Sequence, residues 1–73
     1  MKSDITMVNT KRFTYVLNNN KYMIELFNGQ YILSTWKYDK PENQSIKTYP
    51  ELIALFTSQG LALKLTGCLE LLT

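Results

Sequence analysis

Two reversal signals limit this chain more than any other feature. Asn18-Asn19-Asn20 supplies three consecutive residues that tolerate left-handed backbone angles, and Asn28-Gly29 is the strongest short hairpin signal, because a type I′ turn needs positive φ at both central residues. Around them the residues alternate. Phe13, Tyr15 and Leu17 oppose Arg12, Thr14 and Val16; Tyr22, Ile24 and Leu26 oppose Met23, Glu25 and Phe27. From Gln30 to about Tyr38, Tyr31, Leu33 and Thr35 oppose Ile32, Ser34, Trp36 and Tyr38. A period of two marks strands, so the segment predicts a three-stranded antiparallel meander.

Register tests this reading. A two-residue loop at Asn28-Gly29 sets Leu26 against Tyr31 and Ile24 against Leu33, and an Asn loop of two or four residues sets Leu17 against Tyr22 and Tyr15 against Ile24. Both hairpins then collect Phe13, Tyr15, Leu17, Tyr22, Ile24, Leu26, Tyr31 and Leu33 on one face, a set that a one-residue slip would scatter. That face needs a cover. The polar stretch Asp39–Lys47, which carries Pro41, reads as the longest linker, and a helix is expected to follow it. Thr48-Tyr49-Pro50-Glu51 matches a capping box, Leu52, Ile53, Leu55 and Phe56 form an apolar stripe, and Gly60 is placed to end the helix.

The two ends are less patterned. Met1–Thr10 reads as a loose arm. Leu61, Leu63 and Leu65 alternate as in a strand, whereas Leu61, Leu65, Cys68, Leu69 and Leu72 fall at helical spacing. Gly67 suggests a break either way, and a short strand over Leu61–Thr66 is preferred. The expected fold class is therefore α+β: three strands, one helix, and a short fourth strand or an irregular leucine-rich tail, in one domain spanning 1–73. No internal repeat is apparent.

With 73 residues, 45% of them hydrophobic, the chain has room for one core and not two. A domain of this size gains only ~3–5 kcal/mol from its core and usually adds disulfides, a metal or a partner subunit. Cys68 is the only cysteine and histidine is absent, which removes an intrachain bridge and leaves no zinc or iron ligand set. Self-association is the expected remedy. The chain opens without an apolar leader, and no window reaches the ~18 apolar residues that cross a bilayer, so a soluble cytoplasmic protein is expected. A net charge of +2 and a pI near 8.8 are too mild to imply nucleic acid.

Catalytic groups are few. Arg12 is the single arginine, and Asp4, Glu25, Asp39, Glu42, Glu51 and Glu70 show no paired spacing. Cys68 lies in a leucine-rich stretch without a nearby cation to lower its pKa, which suits a small buried hydrophobe. Gly29, Gly60 and Gly67 are isolated and form no phosphate loop. The expectation is no catalytic, metal or cofactor-binding residue. The second sheet face is more informative: Val16, Met23, Phe27, Ile32, Trp36 and Tyr38 make it more apolar than a solvated face requires. Trp36, Tyr38, Phe27, Ile32 and Met23 are the expected interface residues, unless the tail folds over them and Trp36 is ordinary core. A second reading places single-stranded nucleic acid on Trp36 and Tyr38, with Lys11, Arg12, Lys21 and Lys37 as the cations and Lys37 beside Trp36 as the suggestive pair.

Two segments, RFTYVLNNNKYMIELFNGQYILSTWKY (12–38) and TYPELIALFTSQGLALKLTG (48–67), resemble the YopT-like small hypothetical proteins of Bacillus prophage origin, over about two-thirds of the chain. The resemblance implies a homodimer of three strands and one helix, with no assigned activity and no functional residue to carry over. The function expected is a non-enzymatic, homodimeric protein-interaction module that modulates a host or phage protein, with the nucleic-acid module as the alternative. Its contact surface would be the second sheet face, the tail, or the open edges of the first and third strands.

Overall fold

Five strands and two helices follow one another along the chain: β1 (Asp4–Asn9), β2 (Arg12–Leu17), β3 (Asn20–Phe27), β4 (Gln30–Lys37), β5 (Lys40–Lys47), α1 (Tyr49–Ser58) and α2 (Ala62–Glu70). The computed structural model describes the backbone of residues 4–9 and the whole of residues 11–72. All five strands join one antiparallel sheet in chain order, β1-β2-β3-β4-β5. The α+β class and the central meander agree with the sequence reading, but the sheet has five strands rather than three, and two helices follow it rather than one.

The meander turns by one device used three times. Asn18-Asn19, Asn28-Gly29 and Tyr38-Asp39 each hold two consecutive residues at positive φ, between 51° and 75°, the backbone of a type I′ turn, which matches the twist of the flanking strands. Leu26 opposes Tyr31 and Ile24 opposes Leu33, as the Asn-Gly signal requires. In the first hairpin Tyr15 opposes Tyr22, and Leu17 opposes Asn20, two residues away from the expected pairing. Because Asn18-Asn19 closes the loop alone, Asn20 is released to begin β3. The even shift keeps every side chain on its expected face. Leu17, at the rim, is only half-buried.

Three polar or ambiguous segments differ from their sequence reading. Asp4–Asn9, expected to be a loose arm, pairs antiparallel with β2. Residues 39–47, expected as a linker, supply the second half of a turn and then β5. Tyr38 accordingly leaves β4 and becomes the first turn residue, with φ 51°. Ladder bonds to β4 hold β5 in place of apolar side chains. Its Pro41 pairs with Trp36, whereas Asn43 pairs with Thr35, so Glu42 is the extra residue of a bulge. Proline lacks a donor and is tolerated at such an edge. The edges of the sheet are therefore β1 and β5, not the first and third meander strands.

The tail settles as a helix. Leu65 is fully buried, with Leu69 at 1% and Leu72 at 3% exposure, whereas Leu63 is 97% exposed. Alternation would have buried Leu63; spacing of three and four buries the others. Gly67 lies inside α2 and breaks nothing. The first helix follows its sequence closely. Thr48 N–H donates to Glu51 Oε1 at 2.8 Å and Glu51 N–H donates to Thr48 Oγ1 at 3.3 Å, completing the capping box. At the other end Leu61 N–H donates to the Phe56 carbonyl and Gly60 N–H to that of Thr57. With Gly60 at φ 73°, this is a Schellman motif.

The core forms where both helices meet one sheet face. Phe13, Tyr15, Ile24 and Leu33 pack there with Leu52 and Phe56 of α1 and with Leu65, Leu69 and Leu72 of the α2 region. Tyr15 is its centre. Its ring stacks on Tyr22 with centroids 4.7 Å apart and meets the edge of Phe56 at 6.1 Å, and its hydroxyl donates to Gln59 Oε1 at 2.8 Å. Burial of the ring raises the Tyr15 pKa well above its ordinary value, with the neighbouring Tyr22 adding to the rise and the Gln59 bond opposing it.

Candidate functional site

Alternation leaves a second face on the same sheet, and nothing in the described core covers it. None of its described residues belongs to the buried cluster or packs against it. Register carries its rows from strand to strand. One row is Arg12, Glu25, Ile32 and Ile46; the next is Thr14, Met23, Ser34 and Gln44; the third is Val16, Lys21, Trp36 and Pro41. Met23, Ile32 and Trp36 are half-buried by their neighbours, while Phe27 is 57% and Ile46 61% exposed. The alternative in which the tail folds over Trp36 is overturned: α2 packs on the opposite face.

Four of the five expected interface residues, Met23, Phe27, Ile32 and Trp36, thus share this surface. Tyr38 does not follow the alternation, since it sits in the β4–β5 turn at 66% exposure. Ser34, the only buried polar residue of the row through Met23, is satisfied by Gln44, whose Nε2 donates to Ser34 Oγ at 3.1 Å. Beside Trp36 the β5 bulge opens a concavity of about 360 Å³, whose lining includes Trp36, Pro41, Glu42 and Gln44.

Charges on this face are arranged differently from the sequence expectation. Lys37 neighbours Trp36 in the chain, but successive strand residues point to opposite faces, so its side chain lies on the other side. The cation on the ring is Lys21, with Nζ 5.6 Å from the Trp36 centroid, a distance at which the ring quadrupole attracts it. The Asn28-Gly29 register alone would have found it, because that pairing sets Lys21 against Trp36. Arg12 and Glu25 are directly opposed on β2 and β3. Neither makes an ion pair among the described residues, and Arg12 Nε is buried with no acceptor.

Cys68 is free and half-buried on α2, where it packs beside the core. Among the described residues no three of Cys, Asp and Glu gather closely enough to hold a metal ion, and no described helix is long and apolar enough to cross a membrane. Comparison of the chain with protein-family models, with curated proteins and with solved structures returned no significant match.

Proposed function

We propose that this protein is a non-enzymatic, homodimeric protein-interaction module that works through the uncovered face of its sheet. The observation that carries the reading is the division of the sheet itself. Both helices lie on the Tyr15 side, while Val16, Met23, Phe27, Ile32, Trp36 and Ile46 share a side against which none of the described residues forms a layer. Apolar surface of this extent, with a tryptophan among its residues, is characteristic of contact surfaces. Association also meets the need of a domain whose single core is small. The resemblance to YopT-like prophage proteins supports the same assembly, and a host or phage protein as further partner rests on that resemblance alone.

Sedimentation equilibrium at micromolar concentration tests the reading. The wild-type chain is expected at twice its monomer mass, and Trp36→Ala is expected to lose association while keeping its far-UV circular dichroism. A wild-type chain that stays monomeric ends the proposal.

Lys21 over the Trp36 ring favours a second reading, a stacking platform for single-stranded nucleic acid. It predicts quenching of Trp36 on titration with single-stranded DNA, with an affinity that falls as salt rises. Absence of quenching at low salt removes it.

A further inference from the structure

We infer that β5 and α1 form a docking groove for an extended acidic peptide, which joins the sheet as an added edge strand beside Asn43–Lys47. The groove lies on the helix side of the sheet, away from the uncovered face, and needs no second copy. β5 ends the sheet, and among the described residues no strand pairs with its outer side. Along an antiparallel ladder every second residue turns its N–H and C=O away from its partner, so this edge offers backbone donors and acceptors to an incoming strand. Pro41 and the bulge at Glu42 blunt only the end near the turn. From Asn43 to Lys47 the register with β4 is unbroken, with Asn43 opposing Thr35 and Lys47 opposing Tyr31.

Beside that edge the helix side of the sheet is incompletely filled. Leu33 of β4 opposes Ser45 of β5, and Asn43, two residues away, shares the same face. These short side chains do not fill the space next to α1, and a concavity of about 520 Å³ opens there, with Leu33, Leu52 and Leu55 as its apolar lining. An edge strand beside a helix wall holds a peptide by main-chain bonds while alternate peptide side chains enter the groove. Charge selects the occupant. Lys37, Lys40 and Lys47 all stand on the helix side, whereas Glu42 lines the concavity beside Trp36 on the other face. The one carboxylate of α1 is Glu51, whose Oε1 already accepts from the Thr48 amide. A second copy of β5, paired antiparallel about the strand's centre, would set Lys40 of each chain against Lys47 of the other, and like charges so opposed repel. An acidic strand meets the same lysines with opposite sign.

The test titrates the full chain with fluorescein-labelled octapeptides that alternate valine with threonine between paired terminal glutamates, or between paired terminal lysines. Fluorescence anisotropy is expected to show the acidic peptide bound at least about tenfold more tightly than the basic one. Lys40→Glu is expected to weaken acidic-peptide binding about tenfold, and Ser45→Leu, which fills the concavity from within, about tenfold or more. Modified peptides test the wild-type chain without any question of folding. N-methylation of the amides on the peptide edge that meets β5, either the valines or the threonines, is expected to weaken binding about tenfold per methyl group. The same change on the other edge should leave affinity within about threefold. Trp36→Ala is expected to bind the acidic peptide as wild type does, which separates this groove from the uncovered face. Equal binding of acidic and basic peptides, no binding of either at about 1 mM, or equal effects of the two methylation sets overturns the proposal. So does unchanged affinity in a folded Ser45→Leu variant, or loss of binding in Trp36→Ala.

Discussion

The two faces of one sheet, built from the same strands by the same alternation, end in different environments. On one, Phe13, Tyr15 and Ile24 are fully buried and Leu33 nearly so, because two amphipathic helices follow the last strand and both dock there. On the other, Trp36, Ile32 and Met23 reach only half burial through contact with strand neighbours. An apolar residue in a strand is thus not core by its type. It becomes core when another layer of the chain lies against it, and both helices of the described residues lie on one side.

That contrast predicts very different costs for two aromatic truncations. Phe56→Ala removes a ring with no exposed surface from contact with Tyr15, a change that typically costs ~3–5 kcal/mol. A domain of this size has about that much to lose, so the variant is expected to be unfolded in the absence of denaturant. Trp36→Ala removes the Lys21 contact and cross-strand packing worth about 1 kcal/mol or less, and should remain folded. Urea titration followed by far-UV circular dichroism measures both. Equal destabilisation by the two would mean that Trp36 is core and that the two faces do not differ.

The buried face also carries a polar group, and it sharpens the comparison. Tyr15 has a fully buried ring whose hydroxyl is held by Gln59 at 2.8 Å. Tyr15→Phe keeps the ring and is expected to cost about 1 kcal/mol. The effect depends on pH with a definite sign. Burial keeps the folded-state pKa above the ordinary value, whereas the unfolded chain releases this proton near pH ~10. Stability from this group is therefore fully present below that pH and is lost as pH rises beyond it. The urea midpoint of Tyr15→Phe should fall less steeply than that of wild type above this point. Parallel profiles would show that the hydroxyl is not held as described.

What could be read in advance divides along the same line. The second hairpin, the Tyr15 face and α1 were legible because each rests on local chemistry: Asn28-Gly29 for the turn, period two for the face, Thr48 and Glu51 for the cap. Strands β1 and β5 were not. Lys40–Lys47 offers one isoleucine and a proline, and its conformation is imposed by the β4 ladder, a tertiary term that composition does not carry. The tail fitted two templates, Leu61, Leu63 and Leu65 at period two and Leu61, Leu65, Cys68, Leu69 and Leu72 at helical spacing, and burial of Leu65, Leu69 and Leu72 in the core decided for the second. The open face was partly legible, since Met23, Phe27, Ile32 and Trp36 follow from alternation. Tyr38 was lost because its turn carries neither Gly nor Asn at the first position, the usual signal for positive φ.

The smallest effects separate the two glycines of the helical layer, and they have opposite signs. Gly60 follows α1 at φ 73°, a conformation that costs an L side chain roughly 1 kcal/mol, and its own amide closes part of the Schellman motif. Gly67 lies within α2 at an exposed position, and an added Cβ would meet nothing within 4 Å. There glycine only adds backbone freedom to the unfolded chain, so alanine is expected to stabilise by about 0.5–1 kcal/mol. Gly60→Ala should lower the thermal midpoint and Gly67→Ala should raise it, since a strained backbone opposes the first substitution and only lost chain entropy bears on the second. A Gly67→Ala variant less stable than wild type would mean that this turn of α2 packs against something, and the exposed side of the helical layer would then need a partner of its own.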